Sequence, residues 1–122
     1  MSKTGNDLRM SFNYKHGCIR IFKKVIEQLG HPKYVFFSLN ADNTVLTIHG
    51  TDERNNDCLL VERHREYKRT EGLKFSGKAF IRKLSECVGW DLDKKYVAAG
   101  EYDEESRSIN FDLTTASYDA QL

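Results

Sequence analysis

From Leu8 to Tyr14 apolar and polar residues alternate, with Leu8, Met10, Phe12 and Tyr14 sharing one face. That two-residue period belongs to a strand with one buried side. His16 and Gly17 mark a turn, and residues 18–22 resume the period through Ile19 and Ile21. At Lys23 the period lengthens. Phe22, Val25, Ile26 and Leu29 recur at helical intervals, and Gly30 stands where a helix ends on a left-handed residue. After Pro32, residues 34–39 (YVFFSL) and 44–50 (TVLTIHG) read as two strands joined by the turn Asn40-Ala41-Asp42-Asn43.

The second half repeats this order. Residues 51–57 form a polar loop, 58–64 a further strand, and 65–72 a charged connection. Leu73–Phe75 leads through Ser76, read as a helix cap, and Gly77 into a helix over 78–88 that Gly89 closes. Its stripe is Ala79, Phe80, Leu84, Cys87 and Val88. Residues 94–102 and 107–113 make a strand pair about the acidic turn 103–106, and 114–122 read as a tail.

Laid at an offset of 59, residues 21–30 (IFKKVIEQLG) meet 80–89 (FIRKLSECVG). Lys24, Glu27 and Gly30 face Lys83, Glu86 and Gly89. Lys33-Tyr34-Val35 then falls near Lys95-Tyr96-Val97, and Leu46 and Ile48 near Ile109 and Phe111. Charge follows the same rhythm. Residues 9–34 sum to +5 and 35–57 to −3, residues 62–83 to +5 and 91–112 to −4. The expectation is an internal duplication of a strand, helix, glycine stop and hairpin, two copies of which bury each other's strand faces.

Composition adds bounds. With 122 residues, 39% hydrophobic and 30% charged, the chain is one globular domain or two interlocked units. So small a chain gains from self-association, so a homodimer is expected. No apolar run approaches the roughly 18 residues that span a bilayer, and the first residues lack an apolar core of the signal-peptide kind. A cytoplasmic protein with no membrane partner is the expectation. Cys18, Cys58 and Cys87 read as reduced, part-buried thiols.

Residues 17–50 resemble the swapped-hairpin module of the AbrB, MazE and SpoVT family. Gly17, Ile19, Ile21, Lys23, Leu29, Gly30, Val35, Leu46 and Ile48 occupy family-like positions, while Phe22 stands where the family usually carries proline. A tandem pair is similar to the arrangement in MraZ. Residues 76–90 also resemble small proteins of Firmicute mobile elements. The resemblance implies an α+β fold of two tandem strand-helix-hairpin units, over 8–50 and 72–113, linked by 51–71. They would form a swapped-hairpin-like pseudo-dimer, either a small β-barrel or paired sheets with two short helices. It also implies double-stranded DNA binding, as a transcriptional regulator or antitoxin-like protein of a bacterial mobile element.

Phosphate binding needs several Lys or Arg on one surface, because released counterions supply most of the affinity. The candidates are Lys15, Arg20, Lys23 and Lys24 in the first copy and Lys74, Lys78, Arg82 and Lys83 in the second. Arg65, Lys68 and Arg69 of the linker join them. The competing readings are an ordinary solvated face, and a protein partner docked on acidic hairpins by an inhibitor or adaptor of phage type. Tyr34, Phe36, Phe37, Phe75, Phe80, Tyr96 and Phe111 fall at core periods. Trp90 reads as a cover over the core edge, and Tyr102 and Tyr118 as surface contacts. His16, His31, His49 and His64 lack metal-ligand spacing, and Cys58 with His64 supplies only two ligands. Carboxylates cluster in turns, and Ser76-Gly77-Lys78 lacks the upstream glycine of a phosphate loop. No enzyme, metal or cofactor is expected.

Overall fold

The structure is a computed structural model and describes residues 8–53, 59–60 and 72–119. Along the chain come β1 (Arg9–Asn13), β2 (Cys18–Ile21), α1 (Lys23–Gln28), β3 (Tyr34–Leu39), β4 (Val45–Thr51) and β5 (Leu59–Leu60). Then follow β6 (Leu73–Ser76), α2 (Lys78–Val88), β7 (Lys95–Asp103), β8 (Ser108–Asp112), a 3-10 turn (Leu113–Thr115) and β9 (Ser117–Asp119). The strands join one antiparallel sheet in the order β5-β3-β4-β8-β7-β1-β2-β6, with β9 also laid along β7.

β7 joins the two halves of the sheet. Lys95–Ala99 pairs with β1, and Gly100–Asp103 pairs with β8. The sheet curls enough for Phe37 of β3 and Phe75 of β6, on strands near opposite ends of the order, to meet at 5.7 Å between ring centroids. Alternation decides what fills the inside. Met10, Phe12, Ile19, Ile21, Leu46, Ile48, Ala98, Ile109 and Phe111 are buried, with Val25 and Ile26 of α1 and Ile81 and Leu84 of α2 among them. Each such side chain contributes about 1.5–3 kcal/mol by leaving water. The six residues of α1 are too few for an isolated helix, so burial of Val25 and Ile26 is what holds it.

The expected α+β fold of two strand-helix-hairpin units is not what the chain forms. It is a β-rich protein built on a single continuous sheet. β1, from the first half, lies between β2 and β7 and bonds to both, so no boundary separates the halves. An apolar-faced strand with an open edge exposes unpaired backbone groups, and here β1 and β7 are paired on both sides while β5 and β6 end the order. The offset of 59 also sets unlike elements together: Ile21 ends strand β2, whereas Phe80 lies inside α2. A strand end and an amphipathic helix turn can both place apolar pairs beside basic residues, so matching letters did not mean matching positions. The helices differ as well, six residues against eleven.

Two smaller expectations also change. Residues 117–119, read as tail, pair with Lys95–Val97. Ser76 does not cap α2. It is taken up in the β6 ladder opposite Cys18, and Gly77 takes the cap position. A side chain at Gly77 would press on Ile19 Cδ1 at 2.7 Å. The two glycine stops are as expected, Gly30 at φ +84° and Gly89 at φ +77°.

Candidate anion-binding face

With Met10, Phe12, Ile19, Ile21, Leu73 and Tyr96 turned inward, the alternate residues of β1, β2, β6 and β7 form the outer face of the sheet. Register sets their order across it. Ser11 lies opposite Arg20, and Arg20 opposite Lys74. Asn13 lies opposite both Cys18 and Lys95. Neighbouring strands stand about 4.8 Å apart, so cations from three strands converge. His16, from the β1–β2 turn, completes a cleft of about 220 Å³ lined by Ser11, Asn13, His16, Cys18, Arg20, Lys74 and Lys95. No carboxylate lines it among the described residues.

Several of these groups are held in place. The backbone N–H of His16 donates to Asn13 Oδ1 at 3.2 Å, which leaves the Asn13 amide NH₂ as a donor. The Arg20 guanidinium lies 4.1 Å from the Phe22 ring centroid, and Arg9 lies 5.3 Å from the same ring. Such stacking restricts the rotation of Arg20. Ser11 is only 4% exposed, with its remaining surface on the cleft.

The predicted basic residues are distributed as follows. Lys15 is exposed in the β1–β2 turn, and Lys78, the first residue of α2, sits beside that turn with Nζ 5.0 Å from the Tyr14 ring centroid. Gly77 N–H donates to Gly17 O at 3.0 Å and ties the start of α2 there. β2 and β6 run antiparallel, so α1 departs from one end of their ladder and α2 from the other. Lys23 and Lys24 are therefore separated from Lys78, Arg82 and Lys83. The meeting point of the two basic segments is Arg20 beside Lys74. Lys23 and Lys24 each approach Glu27 at 3.8 Å, and Arg82 approaches Glu86 at 3.9 Å. Exposed pairs of this kind contribute about 0–1 kcal/mol. Arg65, Lys68 and Arg69 lie outside the described residues, as do Cys58 and His64.

Ser11, Asn13, His16 and Lys95 were missed as site residues. Alternation about Met10 and Phe12 already pointed Ser11 and Asn13 outward, but nothing local to Lys95 says that β7 lies next to β1.

Comparison with protein-family models, with curated proteins and with solved structures finds no match for this chain. The resemblance of residues 17–50 to the AbrB, MazE and SpoVT family thus stands on those residues alone.

The other half of the sheet carries a second cleft of about 450 Å³, lined by Val45, Ala99, Gly100, Glu101, Asn110, Asp112 and Thr115. Its chemistry is acidic. Asp112 Oδ1 is engaged locally, accepting from Thr114 N–H at 3.0 Å and from the Thr114 hydroxyl at 2.6 Å. Nearby on β3 and β4, Ser38 Oγ lies 3.1 Å from His49 Nε2, and the His49 ring stacks on Phe36 at 4.6 Å. Burial holds the His49 pKa below the ordinary imidazole value, so the ring is neutral at pH 7. A cross-strand stack with one polar contact accounts for this group. Cys18 and Cys87 are free thiols, part-buried and exposed respectively. Among the described residues no three His, Cys, Asp or Glu are grouped to hold a metal ion, and no helix is long and apolar enough to cross a membrane.

Proposed function

We propose that this chain is a non-enzymatic protein that binds duplex DNA through the outer face of β1, β2, β6 and β7. Such binding is the chemistry of a transcriptional regulator or an antitoxin-like protein. The observation that carries the reading is the cleft where Arg20, Lys74, Lys95 and His16 converge, with no carboxylate among its described lining residues. Lys15 and Lys78, flanking it at the β1–β2 turn, extend the cationic surface toward neighbouring phosphates. The resemblance of residues 17–50 points to the same partner.

The test is fluorescence anisotropy on a roughly 20-base-pair duplex across a salt series starting at about 50 mM. With Lys15, Arg20, Lys74, Lys78 and Lys95 each on a phosphate, log K should fall against log salt with a slope of about −4.5. Lys74→Glu with Lys95→Glu should flatten that slope by about two and weaken binding more than about tenfold. Lys23→Glu with Lys24→Glu should matter less. Absence of salt-sensitive binding by the unaltered protein ends the proposal.

The acidic cleft at Glu101 and Asp112 favours a second reading, a protein-interaction module such as a phage-type inhibitor or adaptor that docks a basic segment. That reading requires a stoichiometric protein partner, lost on Glu101→Lys, and indifference to DNA.

A further inference from the structure

We infer that the chain pairs with a second copy of itself through the outward side of β7, each Lys95 entering the acidic cleft beside the partner's Glu101. The inference stands apart from the reading of the basic face as DNA-binding, and names a surface and a partner which that reading does not supply. The case begins in the sequence of β7. Tyr96, Ala98 and Gly100 are buried, so Lys95, Val97, Ala99 and Glu101 alternate with them on the outer side. A cation at one end, a carboxylate at the other and two small apolar side chains between them complement the same strip turned end for end.

Laid antiparallel about a two-fold axis at Ala98, β7 places Lys95 over the partner's Glu101 and Val97 over the partner's Ala99, and each contact occurs twice. Lys95 and Glu101 stand about 20 Å apart along the strand, so the two ion pairs hold both ends of the contact. The flanking strands accept the same register. Arg9 and Ser11 of β1 lie opposite Ala99 and Val97, and Ser117 of β9 also lies opposite Val97. Asp112, next to Phe111, falls level with Ala99. Turned over, Arg9 meets Ser11 and Asp112 meets Ser117, so no like charges oppose each other. Neither Lys95 nor Glu101 makes an ion pair among the described residues. Ala99 is exposed although it sits mid-strand between buried neighbours. Beside it opens the cleft of about 450 Å³, where Val45 and Ala99 offer apolar wall and Glu101 and Asp112 offer carboxylates. A lysine, with its aliphatic stem and charged head, is the side chain that such a lining complements.

Sedimentation equilibrium of the full chain tests this. At about 50 mM salt a concentration-dependent dimer is expected, weakened about tenfold or more at about 500 mM, because exposed pairs are screened. Lys95→Glu and Glu101→Lys should each weaken it more than about tenfold, since each sets like charges together twice. The two single variants mixed in equal amounts should dimerise again, because both contacts of the mixed pair bring opposite charges together. The chain carrying both substitutions should do the same. Lys23→Glu, on α1, should leave the dimer unchanged. Emission of Trp90 verifies that each variant is folded.

A protein that stays monomeric overturns the inference. So does a dimer indifferent to both single variants, or one that the mixture fails to restore. Growth beyond two chains overturns the two-fold pairing in favour of head-to-tail contact. Duplex binding by a monomeric protein leaves the DNA proposal standing alone, and a dimer with the expected charge dependence but no affinity for a duplex leaves only this one.

Discussion

Gly100 occupies the point at which β7 leaves β1 and joins β8, and the core closes directly over it. A Cβ there would stand 2.7 Å from Ile109 Cγ2 and 2.7 Å from the Phe111 ring. Both neighbours are fully buried, so neither can swing aside. Gly100→Ala should therefore cost about 1–3 kcal/mol, measured as a lower urea midpoint. His49 gives a residue-scale prediction of another kind. Its pKa is lowered in the fold by desolvation, so the unfolded chain takes up a proton first as pH falls. The stability this neutral ring contributes is whole above the ordinary value of 6.5 and declines as pH drops below it toward the folded pKa. Thermal melts at pH 7.5 and 5.5 should show a decrease that His49→Phe, which keeps the stack on Phe36, makes smaller.

At the scale of elements, the C-terminal strand shows what a short, polar segment can do. Trp90 stacks on Tyr96 at 4.6 Å and tilts against Phe12 at 5.1 Å, covering the core edge as its position after Gly89 implied. Tyr96 in turn meets Tyr118 of β9 at 5.9 Å, and Lys94 Nζ lies 4.1 Å from the Tyr118 ring. Tyr118 is 52% exposed, so its contacts are partial. Tyr118→Ala should cost about 0.5–1.5 kcal/mol and shift the emission of Trp90, the chain's one tryptophan. Most elements were legible because their signals are local. The alternation over β1 to β4 and the bounds of α2 fall within a residue or two. The buried face of α2, however, is Ile81, Leu84 and Ser85, and Ala79 and Cys87 of the expected stripe are exposed because the helix is turned toward Ile81. β9 was not legible, since Ser117-Tyr118-Asp119 has no period of its own and is a strand only because β7 offers an edge. The aromatic residues were read too uniformly. Phe111 and Tyr96 are core, whereas Phe36 stacks on His49 on the outer side.

For the whole molecule, composition and pattern said little about which strands would be neighbours. The order in which β1 sits beside β7, and β4 beside β8, depends on how edges satisfy one another across the entire chain. The candidate site inherits that opacity. Arg20, Lys74, Lys15 and Lys78 could be named from basic clusters, but Lys95 joins them only through the pairing of β1 with β7. The same pairing predicts cooperative loss. Met10→Asp places a charge where Met10 is fully buried between β2 and β7, and should unfold both ends of the sheet together, seen as coincident circular-dichroism and Trp90 transitions.

The position of β1 has a consequence for how the protein is made. Arg9 lies opposite Ala99, so β1 leaves the ribosome well before β7 and waits for it before this edge is occupied. Loop closure over such a distance is slow, and the waiting strand is open to wrong partners. Nascent chains halted after residue 60 should remain protease-sensitive and bind holdase chaperones, whereas chains extended past β9 should gain protection in one late step.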